Sequence, residues 1–137
     1  AQNSVVDSML AVVESPQSHD TTVAYTYAML ATNTYRTDLM LGRSYWEKAL
    51  NIAEEKLPSA SDQVAAVYRS IRSRSLSGLG VVQRRLGNYS EALDFYQKAL
   101  IESEALNDQS LISTAYFNMG TLYRKMDSLD KALEYQQ

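Results

Sequence analysis

Residues 75–100, SLSGLGVVQRRLGNYSEALDFYQKAL, constrain the fold more than any other stretch of the chain. Leu76, Leu79, Gly80 and Gln83 fall at i, i+3, i+4 and i+7, one face of a helix. Tyr89, Ala92, Leu93, Tyr96, Ala99 and Leu100 repeat that spacing after a break at Leu86-Gly87-Asn88. Gly87 suits the positive φ of a helix stop, and Asn88 is the residue type that caps the next helix. Gly80 leaves room for close approach of another helix. The stretch therefore predicts two short amphipathic helices folded back on each other.

The unit recurs. Forty residues on, Gly80 maps to Gly120, Leu76 to Tyr116, Gln83 to Tyr123, Tyr89 to Leu129 and Ala92 to Ala132, with Asp127 in the place of Gly87. Fifty residues back, Ala99 maps to Ala49 and Tyr96 to Trp46. The phrases Glu47-Lys48-Ala49-Leu50, Gln97-Lys98-Ala99-Leu100 and Asp130-Lys131-Ala132-Leu133 echo one another. Three repeats are read: a divergent one over 20–60, the best-formed over 61–106, and an incomplete one over 107–137. A helix and polar linker over 1–19 precede them.

The order of Leu76, Leu79, Gly80, Gly87, Tyr89, Ala92, Tyr96 and Ala99 resembles the tetratricopeptide repeat. The resemblance implies an all-α solenoid of helix-turn-helix units with right-handed superhelical stacking and about seven helices. Trp46, Ala49, Tyr116, Gly120, Tyr123 and Ala132 would then join those eight as repeat-defining packing residues. Gln83 departs from the family, which usually has an aromatic there. Spacings of 40 and 50 exceed the family's minimal repeat and are similar to those of kinesin light chains and bacterial signalling regulators.

Helix boundaries follow from caps and breakers. Helices are expected over 3–14, 21–35, from Thr37 or Asp38 to about Leu57, over 62–86, over 89–106 and from Asn107-Asp108 to Met126. Ser128 is expected to open a last helix, still running at Gln137, so the chain reads as a piece of a longer protein. Asp20 is the expected cap of the second helix.

Little here suggests catalysis. The chain has one histidine and no cysteine, so thiolate metal sites and disulfides are excluded. His19 lies in a polar connection and reads as a surface or capping residue. Gly78-Leu79-Gly80 lacks the third glycine and the preceding strand of a dinucleotide loop. Glu54-Glu55 and Glu102/Glu104 read as solvated helix faces rather than a cation site. No catalytic residue, metal or cofactor is expected. A net charge of −3 gives no pull toward nucleic acid, and no apolar run reaches the ~18 residues of a membrane span.

The helix over 62–86 is anomalous: Arg69, Arg72, Arg74, Arg84 and Arg85 sit on it, with no acid after Asp62. Two readings stand. Either these arginines pair with Glu91, Asp94, Glu102 and Glu104 of neighbouring helices, or some form a site for an anionic peptide, which the guanidinium fork suits. Candidate groove residues are Arg74, Val81, Arg84, Arg85, Phe117, Asn118 and Arg124. By resemblance, Asn118 matches a groove asparagine that contacts peptide backbone. The family's two-carboxylate clamp is broken, because repeat one offers Ala24, Tyr27 and Ala31 at the inward positions.

The arrangement also resembles the extracytoplasmic sensor region of Bacteroidetes-type two-component histidine kinases. That resemblance implies a non-catalytic protein-binding input module, membrane-anchored through another part of its protein, with a kinase module following. The alternative is a soluble, cytoplasmic scaffold that holds a partner peptide. A protein or peptide partner is expected, with pairing of two copies through the last helix as a further expectation.

Overall fold

The computed structural model describes residues 2–136. Among them are six α-helices: α1 (Gln2–Glu14), α2 (Asp20–Thr34), α3 (Leu39–Lys56), α4 (Asp62–Arg85), α5 (Tyr89–Leu106) and α6 (Gln109–Gln136). A single 3-10 turn, Leu57–Ser59, follows α3 where Pro58 removes a backbone donor.

Each helix packs on the next, and α2–α4 and α4–α6 also touch. That connectivity gives two layers, α2, α4 and α6 on one side and α3 and α5 on the other, which is the all-α solenoid of stacked helical hairpins. One core joins α2, α3 and α4 through Ala24, Ala28, Ala31, Trp46, Ala49, Ala53, Tyr68, Ile71, Leu79 and Val82. A smaller one joins α5 and α6 through Ala92, Tyr96 and Leu122, flanked by Val81, Leu93 and Met119. Alanines at the contacts let helix backbones come close, and the large side chains of Trp46, Tyr68, Ile71 and Tyr96 fill the remaining space.

The glycines show this fit. A Cβ on Gly80 would stand 2.4 Å from the Tyr96 ring, and one on Gly78 would stand 2.1 Å from the Trp46 ring. At Gly120 a Cβ would meet nothing within 4 Å. Gly87, at φ 84°, ends α4 with its N–H on the Arg84 carbonyl and that of Asn88 on the Gln83 carbonyl.

Four expectations change. Asn88 precedes α5 without capping it by its side chain; its amide donates instead to Gln83 Oε1 at 2.9 Å, which gives the non-aromatic Gln83 a use across the turn. The cap of α2 is His19 rather than Asp20: its Nδ1 accepts the Thr21 N–H at 3.1 Å. Asp20 starts the helix and pairs with Lys56 at 3.5 Å. The break expected near Asp127 is absent, and α6 runs on through it. Asp127 lacks glycine's freedom to adopt a positive φ, and its i,i+4 pair with Lys131 at 3.1 Å supports the straight helix.

The fourth concerns α6's outward aromatics. Tyr116 and Tyr123, read as packing residues, are 56% and 49% exposed, because no helix covers that face among the described residues. Ala132, also read as a packing position, lies outside the residues whose side chains are described.

Candidate groove

The layer formed by α2, α4 and α6 carries a hollow of about 260 Å³. From α2 it receives Ala28, Met29 and Thr32; from α4, Arg74, Ser77, Gly78 and Val81; from α6, Ser110, Leu111, Thr114 and Asn118. Tyr35 closes one side and Trp46, reaching through from α3, lies at its floor. The Trp46 ring reaches the hollow because Gly78 has no side chain, and it packs against Tyr35 with ring centroids 5.2 Å apart. Trp46 is the chain's single tryptophan.

A second hollow of about 370 Å³ lies beside the first, lined by Tyr25, Ala66, Val67, Ser70, Ile71, Leu106 and Asp108. Arg74 lines both.

The arginines of α4 divide by what they touch. Arg69 and Arg72 both reach Glu102 of α5 at 3.4 Å, and Arg72 stands 3.9 Å from Glu54 of α3. Glu102 is buried, so two cations meet one desolvated carboxylate between the layers. Of the acids expected to pair with this helix, Glu102 does so, joined by Glu54. Arg85 donates to the Tyr35 carbonyl at 3.3 Å and lies over the Tyr35 ring, tying α4 to the end of α2. Arg84 is half-buried near Tyr96 and lines neither hollow. Arg74 is exposed and takes part in no ion pair among the described residues.

Of the seven expected groove residues, the fold thus brings Arg74, Val81 and Asn118 together. It does not bring in Phe117, which is 69% exposed and points away on α6. Arg124 lies instead at a separate surface hollow with Tyr89, Thr121 and Lys125. Ala24 and Ala31, taken as inward positions of repeat one, are fully buried between helices, and α2 presents Ala28, Met29 and Thr32 in their place. Met29, Leu111 and Trp46 were not legible as groove residues. Gly78 was the available signal, since a second glycine two positions before Gly80 leaves space that only a side chain from outside α4 can fill.

On α5, Tyr96 is fully buried against Gly80 of α4. Its hydroxyl has no hydrogen-bond partner among the described residues. Burial pushes its pKa up to about 12, against the opposing pull of the Arg84 charge. A neutral phenol buried in this way fills the space that Gly80 leaves on α4.

Residues 71–137 match the tetratricopeptide repeat family. The chain is also 42% identical over 52 residues to the response regulator aspartate phosphatase E of Bacillus subtilis (strain 168), which covers 36% of this chain and 14% of that protein. The chain thus spans about a seventh of that relative's length. No solved structure matches it. Tetratricopeptide repeats commonly serve protein–protein interaction, and among the described residues no helix is long and apolar enough to cross a membrane.

Proposed function

We propose that this chain is the non-catalytic input region of a two-component signalling protein, a sensor histidine kinase, and that it works by holding a segment of a partner protein against α2, α4 and α6. The observation that carries the reading is the groove: Arg74, an exposed cation without an ion-pair partner, stands beside an apolar floor and Asn118 on a face built by three repeats. A relative whose name places it among response regulator phosphatases supports the signalling context. Occupancy of the groove would bias the stacking of the repeats, and a ligand that prefers one stacking shifts the population toward it. The same proposal places the chain outside the cytoplasm on a membrane-anchored protein.

Two experiments test it. The coding sequence around this stretch is expected to continue into a membrane span and a kinase module. A reading frame that closes soon after Gln137 overturns the kinase assignment and leaves a scaffold. In the intact protein, Arg74→Glu and Asn118→Ala are expected to abolish the signalling response at unchanged protein level. A response that survives both substitutions overturns the groove mechanism.

A further inference from the structure

Arg74 borders two apolar hollows at once, and that position restricts what the groove accepts. We infer that the groove takes an extended peptide segment in which one Asp or Glu meets Arg74 and a large apolar side chain on either side enters a hollow. The inference rests on the peptide-binding reading above.

Charge selects the central residue. Arg69, Arg72 and Arg85 are committed to Glu102, Glu54 and Tyr35, whereas Arg74 is exposed and uncommitted. Asp108 lines the second hollow with Arg74 but stands beyond ion-pair distance, and its Oδ1 already accepts the Leu111 N–H at 3.1 Å. A carboxylate arriving from outside therefore meets a guanidinium whose donors are free for a charge-assisted, two-pronged contact.

Shape selects the neighbours. A dry cavity of about 150 Å³ accepts benzene, so the 260 Å³ hollow floored by Trp46, Met29 and Leu111 holds one large aliphatic or aromatic side chain. The second hollow, with Tyr25, Val67 and Leu106, takes another. Both open beside one arginine, so the two apolar side chains belong within about two residues of the acid, the reach of an extended chain at roughly 3.3 Å per residue. Ser77, Thr114 and Asn118 at the rim supply donors and acceptors for the peptide's own backbone. A free small carboxylate satisfies Arg74 alone and leaves both hollows uncovered.

The test is selection from a random dodecapeptide phage library on the immobilised chain, followed by titration of the selected synthetic peptides against Trp46 fluorescence. Selected sequences are expected to carry an acid flanked by large apolar residues. Replacing that Asp or Glu by its amide is expected to weaken binding about 10-fold or more, and Arg74→Gln to weaken the parent peptide to the same level with little further loss for the amide peptide. Arg74→Glu is expected to bind the corresponding Lys peptide in preference to the acidic one. Because Arg74 is exposed, both variants are expected to melt with the parent chain, which separates lost binding from lost folding. Groove binders that shift Trp46 fluorescence without enrichment of an acid, or that ignore Arg74→Gln, overturn the inference and leave the groove reading standing. A library that yields no binder sensitive to Arg74→Gln or Asn118→Ala and none that shifts Trp46 overturns both.

Discussion

Three helix-interior glycines, substituted by alanine, separate packing from propensity. In Gly78→Ala the new Cβ falls 2.1 Å from Trp46 Cε2, about 1.4 Å inside the ~3.5 Å at which carbon atoms rest. Trp46 is buried against Tyr35 and has nowhere to retreat except into the groove, so the overlap costs about 1–3 kcal/mol. Alanine returns about 1 kcal/mol of helix propensity, leaving a net loss of roughly 0–2 kcal/mol. Gly80→Ala meets the fully buried Tyr96 ring at 2.4 Å and is expected to cost a similar amount. Gly120→Ala meets nothing within 4 Å and is expected to stabilise by about 0.5–1 kcal/mol. Urea unfolding of the three variants measures the difference, and Trp46 fluorescence reports its displacement in Gly78→Ala alone. Trp46→Leu should relieve Gly78→Ala, so that the double variant is more stable than the sum of the two losses. Equal effects at Gly78 and Gly120, or strict additivity with Trp46→Leu, would refute the account of how α3 and α5 dock on α4.

Other outcomes follow from the same contacts. Because the fold holds Tyr96 neutral, with a pKa pushed up to about 12 from an ordinary value near 10, its contribution to stability is complete below pH ~10 and is lost as pH rises through 10 to 12. Burial also raises the Tyr68 pKa, so tyrosinate absorbance should show late-ionising tyrosines, and Tyr96→Phe should remove the step near pH 12 at a stability change below about 1 kcal/mol. Glu102→Gln leaves Arg69 and Arg72 without their buried counter-charge and is expected to cost about 1–2 kcal/mol in urea unfolding. Glu47→Gln, in the half-exposed pair with Arg43, should cost under about 0.5 kcal/mol. His19→Ala removes the side-chain cap of α2 and is expected to lower stability by about 1 kcal/mol, with His19→Asn restoring most of it; equal melting of all three chains would contradict the cap.

Local chemistry made the hairpins legible. Gly87, Asp38 and Pro58 each act within a turn of the chain, and the helices end where these residues require. The small residues Ala49, Ala92 and Ala99 are buried as their spacing implies. Fates that depend on another element were not legible. Whether Tyr116 and Tyr123 are core is decided by a covering helix, not by their spacing. The continuity of α6 through Asp127 reflects a balance between a weak break signal and an uninterrupted helical ladder. At the groove, Arg74 and Asn118 were found because repeat position sets which face they share. Arg84 and Arg85 were misplaced because a partner decides where a long side chain goes, here the end of α2 and the Tyr96 neighbourhood. The floor was missed because Trp46 enters it from the opposite layer.

The central claim is that the face of α2, α4 and α6 is the binding face. Amide and side-chain chemical-shift mapping of the chain with a selected acidic peptide tests it most directly. The account predicts perturbations concentrated at Met29, Arg74, Gly78, Val81 and Asn118 and at the Trp46 indole, with Lys48, Glu91, Lys98 and Ile101 on α3 and α5 unmoved. Shifts concentrated on α3 and α5, with the Trp46 indole and Asn118 unchanged, would contradict it.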